Sequence, residues 1–152
     1  MAMPAPPSAV VFDIGRVLYQ WDLRFLFAKL IADPGTLERF LAEVVTEAWH
    51  FQSDAGRPLA AMLAERKALF PEHAALIDAY HDRFLETLPA PVPGTHELVA
   101  ALAARGVPLF ALSNFSAEFW ARFRPAAPVF AAFADCVISG EERVVKPDPA
   151  IY

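Results

Sequence analysis

Apolar positions along the chain change their period more than once. Ala9-Val10-Val11-Phe12-Asp13 is a short apolar run that ends on an acid. Its length and β-branched content predict a buried parallel strand rather than a helix. Gly15 then breaks the run and permits a tight turn. From Leu23 to Leu88 the spacing becomes helical. Leu37, Phe40, Leu41, Val44, Val45 and Ala48 recur at i, i+3, i+4, i+7, i+8 and i+11, and Leu76, Ile77, Tyr80, Phe84 and Leu88 form a second stripe. Such stripes belong to amphipathic helices. Leu59, Met62 and Leu63 mark another helix between them, and Pro34-Gly35 and Asp54-Ala55-Gly56 punctuate the segment. It reads as a helical block with no strand.

Leu88-Pro89-Ala90-Pro91-Val92-Pro93-Gly94 is a stiff, Pro-rich hinge. Beyond it, Leu98, Ala101, Leu102 and Arg105 share one helical face, and Gly106 suits the position after the C-cap. Val107 to Leu112 predicts a second strand, ending at Ser113-Asn114. Ser116 is placed to N-cap a helix that carries Phe119, Trp120 and Phe123. Asp135 to Ser139 reads as a third strand, and Pro147-Asp148-Pro149 opens a last helix. Strands alternating with helices predict a parallel α/β sheet with right-handed crossovers. The domain organisation follows: residues 1–22 and 89–152 form an α/β core, and residues 23–88 are a helical insertion after its first strand.

Composition narrows the function classes. The chain has 152 residues, 56% of them hydrophobic, enough to build one domain with a real core. A net charge of -5 and the lack of any basic cluster disfavour a nucleic-acid or anionic-membrane partner. No apolar run reaches the ~20 residues of a bilayer span. Cys136 is the only cysteine, which suits a cytoplasmic protein. Met1 to Ser8 is Pro-rich, lacks the order of a signal peptide and reads as a frayed tail.

In open α/β sheets, ligands bind at the carboxyl ends of strands. Here those ends carry Asp13 and Ser113-Asn114, and Lys146 follows the third strand by a short loop. An acid, a hydroxyl and a cation together make a site for an anionic group. The carboxylate can attack phosphorus or carbon, and Ser113 and Lys146 can hold the transferring oxygens. The plainer readings are a turn acid, a turn serine and a solvated lysine; the three in concert favour the site.

These residues carry a family resemblance. Val10-Val11-Phe12-Asp13-Ile14-Gly15-Arg16-Val17-Leu18 resembles the first motif of the haloacid dehalogenase-like hydrolase superfamily, Leu112-Ser113-Asn114 the second, and Val144-Val145-Lys146-Pro147-Asp148-Pro149-Ala150-Ile151-Tyr152 the third. The resemblance covers nearly all of the chain from Ala9 onwards. It implies a Rossmann-like parallel sheet with helices on both faces and an inserted α-helical cap. With Trp21-Asp22 downstream, the Phe-Asp-Ile-Gly form most resembles phosphatases of sugar 1-phosphates. It further implies that Asp13 forms an aspartyl intermediate, that Ser113 and the backbone of Asn114 bind the transferring group, and that Lys146 neutralises charge. Mg2+ would be ligated by Asp13 and the Gly15 carbonyl, and the substrate would be a small phosphorylated metabolite. Arg16, on the loop facing the cap, is a candidate substrate contact, as is Trp21.

Two departures from the family pattern stand out. The position two after the nucleophile is usually a second Asp, which protonates the leaving oxygen and then activates water; here it is Gly15. The fourth motif, an acidic pair or triad on a later strand beside the first, is expected beyond Tyr152, so the sequence reads as a C-terminally truncated core. Two other readings compete. A 2-haloacid dehalogenase needs no proton on its leaving halide and no metal, and Tyr152 has a counterpart there. A non-catalytic binding module would need only part of the motifs. His50, His73, His81 and His96 share no metal-site spacing and read as surface or half-buried groups. His50 stands out among them because it lies near the expected cleft. Asp148 is equally an N-cap and a site residue.

Overall fold

The first and second strands meet although the whole helical block separates them. In the computed structural model, which describes residues 7–152, β1 (Val10–Phe12), β2 (Leu109–Ser113) and β3 (Asp135–Ile138) form one sheet in the order β1-β2-β3. Both pairings are parallel, with Val10 opposite Leu109 and Phe12 opposite Ala111, then Phe110 opposite Asp135 and Ser113 opposite Ile138. All three strands therefore end on the same edge of the sheet. The predicted parallel α/β architecture is observed, and it is Rossmann-like. Of the tail read at Met1–Ser8, residues 1–6 lie outside the described residues.

β1 differs from the buried strand expected. It borders the sheet, and Val11 is 60% exposed while Phe12 is buried. Successive side chains point to opposite faces, so Val11 stands on the face opposite Phe12, and that face is left open.

Five α-helices follow β1: α1 (Arg24–Phe27), α2 (Pro34–Glu43), α3 (Glu47–Asp54), α4 (Leu59–Leu69) and α5 (Ala74–Asp82). Asp33 caps α2 by accepting from the Thr36 N–H, with Pro34 opening the helix. The stripe from Leu37 to Ala48 is not one helix. It breaks after Glu43, and Thr46 restarts the chain as the N-cap of α3, its hydroxyl accepting from the Trp49 N–H at 3.0 Å. Val44 and Val45 stay buried through the break, whereas Ala48 turns outward. Leu26, Phe27, Met62, Ile77 and Tyr80 are fully enclosed. Burying an apolar side chain of this size contributes roughly 1.5–3 kcal/mol.

The chain leaves and re-enters the sheet region along one path. The Ile14 carbonyl accepts from the N–H groups of Val17, Leu18 and Tyr19, closing the turn after Asp13. Val92 N–H then donates to Leu18 O and Gln20 N–H to Ala90 O, so the Pro-rich return lies antiparallel against the outgoing strand of chain.

α6 (Thr95–Ala104) ends at Arg105, with Gly106 beyond it at φ +72° as expected. Its buried face is a different one from that read in the sequence. Val99 is enclosed and Leu98 is 50% exposed. α7 (Ala117–Phe123) has Ser116 as its N-cap and buries Phe119, Trp120 and Phe123, as predicted. α8 (Ser139–Glu142), directly after β3, was not foreseen. Pro149–Ile151 forms one turn of 3-10 helix, capped by Asp148.

Candidate active site

The ends of β1 and β2 and the segment after α8 each deliver one polar group to the same place; Lys146 is separated from β3 by α8 and not by the short loop expected. Asp13 is the residue after β1. Its Oδ1 accepts from the Ser113 hydroxyl at 2.8 Å and from the Ile14 N–H at 2.7 Å. Its Oδ2 accepts from Lys146 Nζ at 2.8 Å. The same ammonium donates to the Leu112 carbonyl at 3.0 Å. The carboxylate is thus oriented by charge-assisted hydrogen bonds, yet its side chain remains 41% exposed. Ser113, the last residue of β2, is buried. Asn114 faces Lys146 with both side-chain atoms: Nδ2 donates to the Lys146 carbonyl at 3.2 Å, and Oδ1 accepts from the Lys146 N–H at 2.8 Å.

A cavity of about 180 Å³ opens over this cluster. Asp13, Gly15, Arg16, Ser113, Asn114 and Lys146, the residues singled out in the sequence, all line it. Arg16 sits at φ +62°, and its guanidinium is already engaged. It bonds Glu47 at 2.8 Å and the Trp21 carbonyl at 3.2 Å, and lies over the Trp21 ring. Trp21 reaches the cavity too. Asp148 does not: its carboxylate accepts from the Ala150 N–H, so capping is its role here. Tyr152 is 77% exposed and lies away from the cavity lining.

The oxygen donors that the resemblance assigns to a divalent cation, the Asp13 carboxylate and the Gly15 carbonyl, belong to residues that both line this cavity. Among the described residues no three His, Cys, Asp or Glu side chains cluster as a metal site. Hard oxygen donors suit Mg2+, which commonly takes one or two carboxylates and completes its shell with water and substrate phosphate. The donor chemistry fits on that basis.

The helical block supplies the opposite wall through His50, Asp54 and Phe84. His50 is 5% exposed, which corrects its reading as a surface or half-buried group. It stacks between Trp21 and Phe84, with ring centroids at 5.2 and 5.4 Å. Burial pushes its imidazole down to about 4, so the ring is neutral near pH 7. Its Nδ1 lies 2.7 Å from the Tyr80 hydroxyl. Asp54 is equally buried, and burial pushes its carboxyl up to about 7, partly offset by the Ser116 N–H. The sequence had shown Asp54 only as turn punctuation. The available signal was a His and an Asp four residues apart, hence on one face of a helix.

A model of the haloacid dehalogenase-like hydrolase family matches residues 7–152. The chain belongs to that family and is a hydrolase. Comparison with curated proteins and with solved structures gave no match. No helix of the described residues is long and apolar enough to cross a membrane.

Proposed function

We propose that this hydrolase is a magnesium-dependent phosphatase of a small phosphorylated metabolite, working in the cytoplasm through an aspartyl-phosphate on Asp13. One observation carries the reading. The Asp13 carboxylate is held by Ser113 and Lys146 at 2.8 Å each and still faces an open cavity. A nucleophile needs that combination of fixed orientation and access. Asp13 attacks phosphorus while Ser113 and Lys146, adjacent to the new bond, hold the phosphoryl oxygens. Held by Asp13 and the Gly15 carbonyl, Mg2+ would neutralise charge on the transferring group. Residues 23–88 serve as the cap. Their His50, Asp54 and Phe84 shield the reaction from bulk water and bound the space for the leaving group.

Gly15 favours one other reading. It offers no proton, and a 2-haloacid dehalogenase needs none for its halide. The two separate in one experiment: assay a panel of small phosphate monoesters and a 2-chloro acid, with Mg2+ and with a chelator. Magnesium-dependent phosphate release is expected, falling at least about 10³-fold in Asp13→Asn. Metal-independent chloride release, or near-wild-type phosphatase activity in Asp13→Asn, would overturn the proposal.

A further inference from the structure

The buried carboxyl of Asp54 is only partly satisfied: the Ser116 N–H favours its charged form, and one oxygen is left over. Its side chain is 9% exposed, and Oδ1 has no hydrogen-bond partner. The nearest basic atom, His50 Nε2, is 3.5 Å away, and that ring is neutral near pH 7, so the two do not form an ion pair. Buried polar groups are nearly always bonded, and leaving one unpaired forfeits its hydration without return. The position is nevertheless held firmly. The Asp54 carbonyl accepts from the Ser139 hydroxyl at 2.5 Å, which ties the end of α3 to the start of α8. Gly56, at φ +93°, turns the chain just afterwards against Arg143 and the Gly140 carbonyl. Asp54 is thereby fixed in the wall of the cavity that holds Asp13.

We propose that Asp54 is the proton donor and acceptor of the reaction, carried by the helical block in place of the side chain that Gly15 lacks. The proposal rests on the phosphatase reading. In the first step an Asp13 oxygen bonds to phosphorus, the bond from phosphorus to the leaving oxygen breaks, and the Asp54 proton passes to that oxygen, releasing an alcohol. In the second step a water oxygen bonds to phosphorus, its proton passes to the Asp54 carboxylate, and the bond from phosphorus to Asp13 breaks. Inorganic phosphate leaves, and both acids return to their starting states. One group serving as acid and then base works best when its pKa is near the operating pH, and burial brings Asp54 there. His50 on its own helix and Tyr80 on α5 are the titratable groups behind it, and Asp13, Arg16 and Lys146 share the cavity before it. When the Tyr80 hydroxyl donates to Nδ1, His50 keeps its hydrogen on Nε2, which lies 3.5 Å from Asp54 Oδ1 without a hydrogen bond between them in this structure.

Two esters test this: p-nitrophenyl phosphate, whose leaving group needs no proton, and phenyl phosphate, whose leaving group does. Asp54→Asn should lower phenyl phosphate turnover by about 10²–10⁴-fold. With p-nitrophenyl phosphate it should still release about one equivalent of nitrophenol in a burst, followed by slow turnover because water is not activated. A Cβ at Gly15 would meet nothing closer than the Trp21 Cβ at 3.8 Å, so an acid can be placed there. Gly15→Asp added to Asp54→Asn should restore phenyl phosphate turnover at least tenfold (about one Brønsted decade), which a purely structural role for Asp54 does not predict. Wild-type rates on both esters in Asp54→Asn, or an equal loss on both without a burst and without rescue, would overturn the proposal while the phosphatase reading stands. Nitrophenol bursts that persist in Asp13→Asn would instead overturn the phosphatase reading, and this proposal with it.

Discussion

Lys146 reaches Asp13 because Asn114 holds its backbone. The two hydrogen bonds between the Asn114 side chain and the Lys146 peptide groups close a ring across 32 residues of sequence. The sequence motif pointed to the backbone of Asn114 as a phosphate contact; the side-chain bonds make it also a positioning residue for the cation. That use was invisible in the sequence because nothing local pairs positions so far apart. Asn114→Ala should therefore lower kcat/KM by about 10–100-fold, the scale expected from misplacing a catalytic group by an ångström. Because the effect acts through Lys146, it should be non-additive with Lys146→Ala: the double variant should be little worse than the lysine variant alone. A double variant whose loss equals the product of the single losses would show that Asn114 acts independently.

At the scale of elements, the strands were legible because each is a short apolar run bounded by turn residues, and their parallel order followed from helices lying between them. The capping Ser116 made α7 legible in the same way, whereas α2 was read from its apolar stripe and its Asp33 cap was not. What was missed has a physical cause in each case. α6 carries Leu98, Val99 and Leu102, so two overlapping faces fit its pattern, and only packing against the sheet selects Val99. The stripe through Ala48 continues in phase across the turn that Thr46 caps, so periodicity alone joins α2 to α3. α8 has no apolar stripe at all; it exists through contacts with the loop after β2. Gly140 N–H donates to the Phe115 carbonyl, and Ser139 Oγ accepts from the Phe115 N–H. A Cβ on Gly140 would stand 2.4 Å from the Ala117 nitrogen and 2.8 Å from the Phe115 oxygen, both backbone atoms. Gly140→Ala must then push apart α8 and the loop carrying Asn114. It should destabilise the protein by about 1–3 kcal/mol, the usual scale of overpacking. Gly35→Ala, in the first turn of α2 with only ordinary contacts, is the control and should be neutral or stabilising. Urea midpoints measure both, and equal midpoints for the two variants would refute the close approach at Gly140.

Only the whole fold brings His50 and Asp54 to the cavity, and burying the pair together has a consequence for the entire molecule. Asp54 titrates near 3.8 when unfolded and at about 7 when folded. Between those values the folded state keeps a proton that the unfolded chain has lost, so raising the pH through that window weakens the fold. His50 does the reverse. It titrates near 6.5 when unfolded and at about 4 when folded, so lowering the pH through its window weakens the fold. The windows overlap from about 4 to about 6.5, and there the two contributions oppose each other. Removing the acid leaves the imidazole uncompensated, because the cause of the His50 shift is burial and not Asp54. Glu86, held down to about 2 by Arg83 and Lys29, begins to give up its contribution below about 4.5, but does so alike in both proteins and drops out of their difference. Asp54→Asn should accordingly lose stability on acidification more steeply than the wild type. The difference should grow to as much as about 3 kcal/mol by about pH 4, at ~1.4 kcal/mol for each tenfold change in proton affinity. Urea unfolding of both proteins across this range reads it directly, and parallel stability profiles would show that the two groups are not buried together as described.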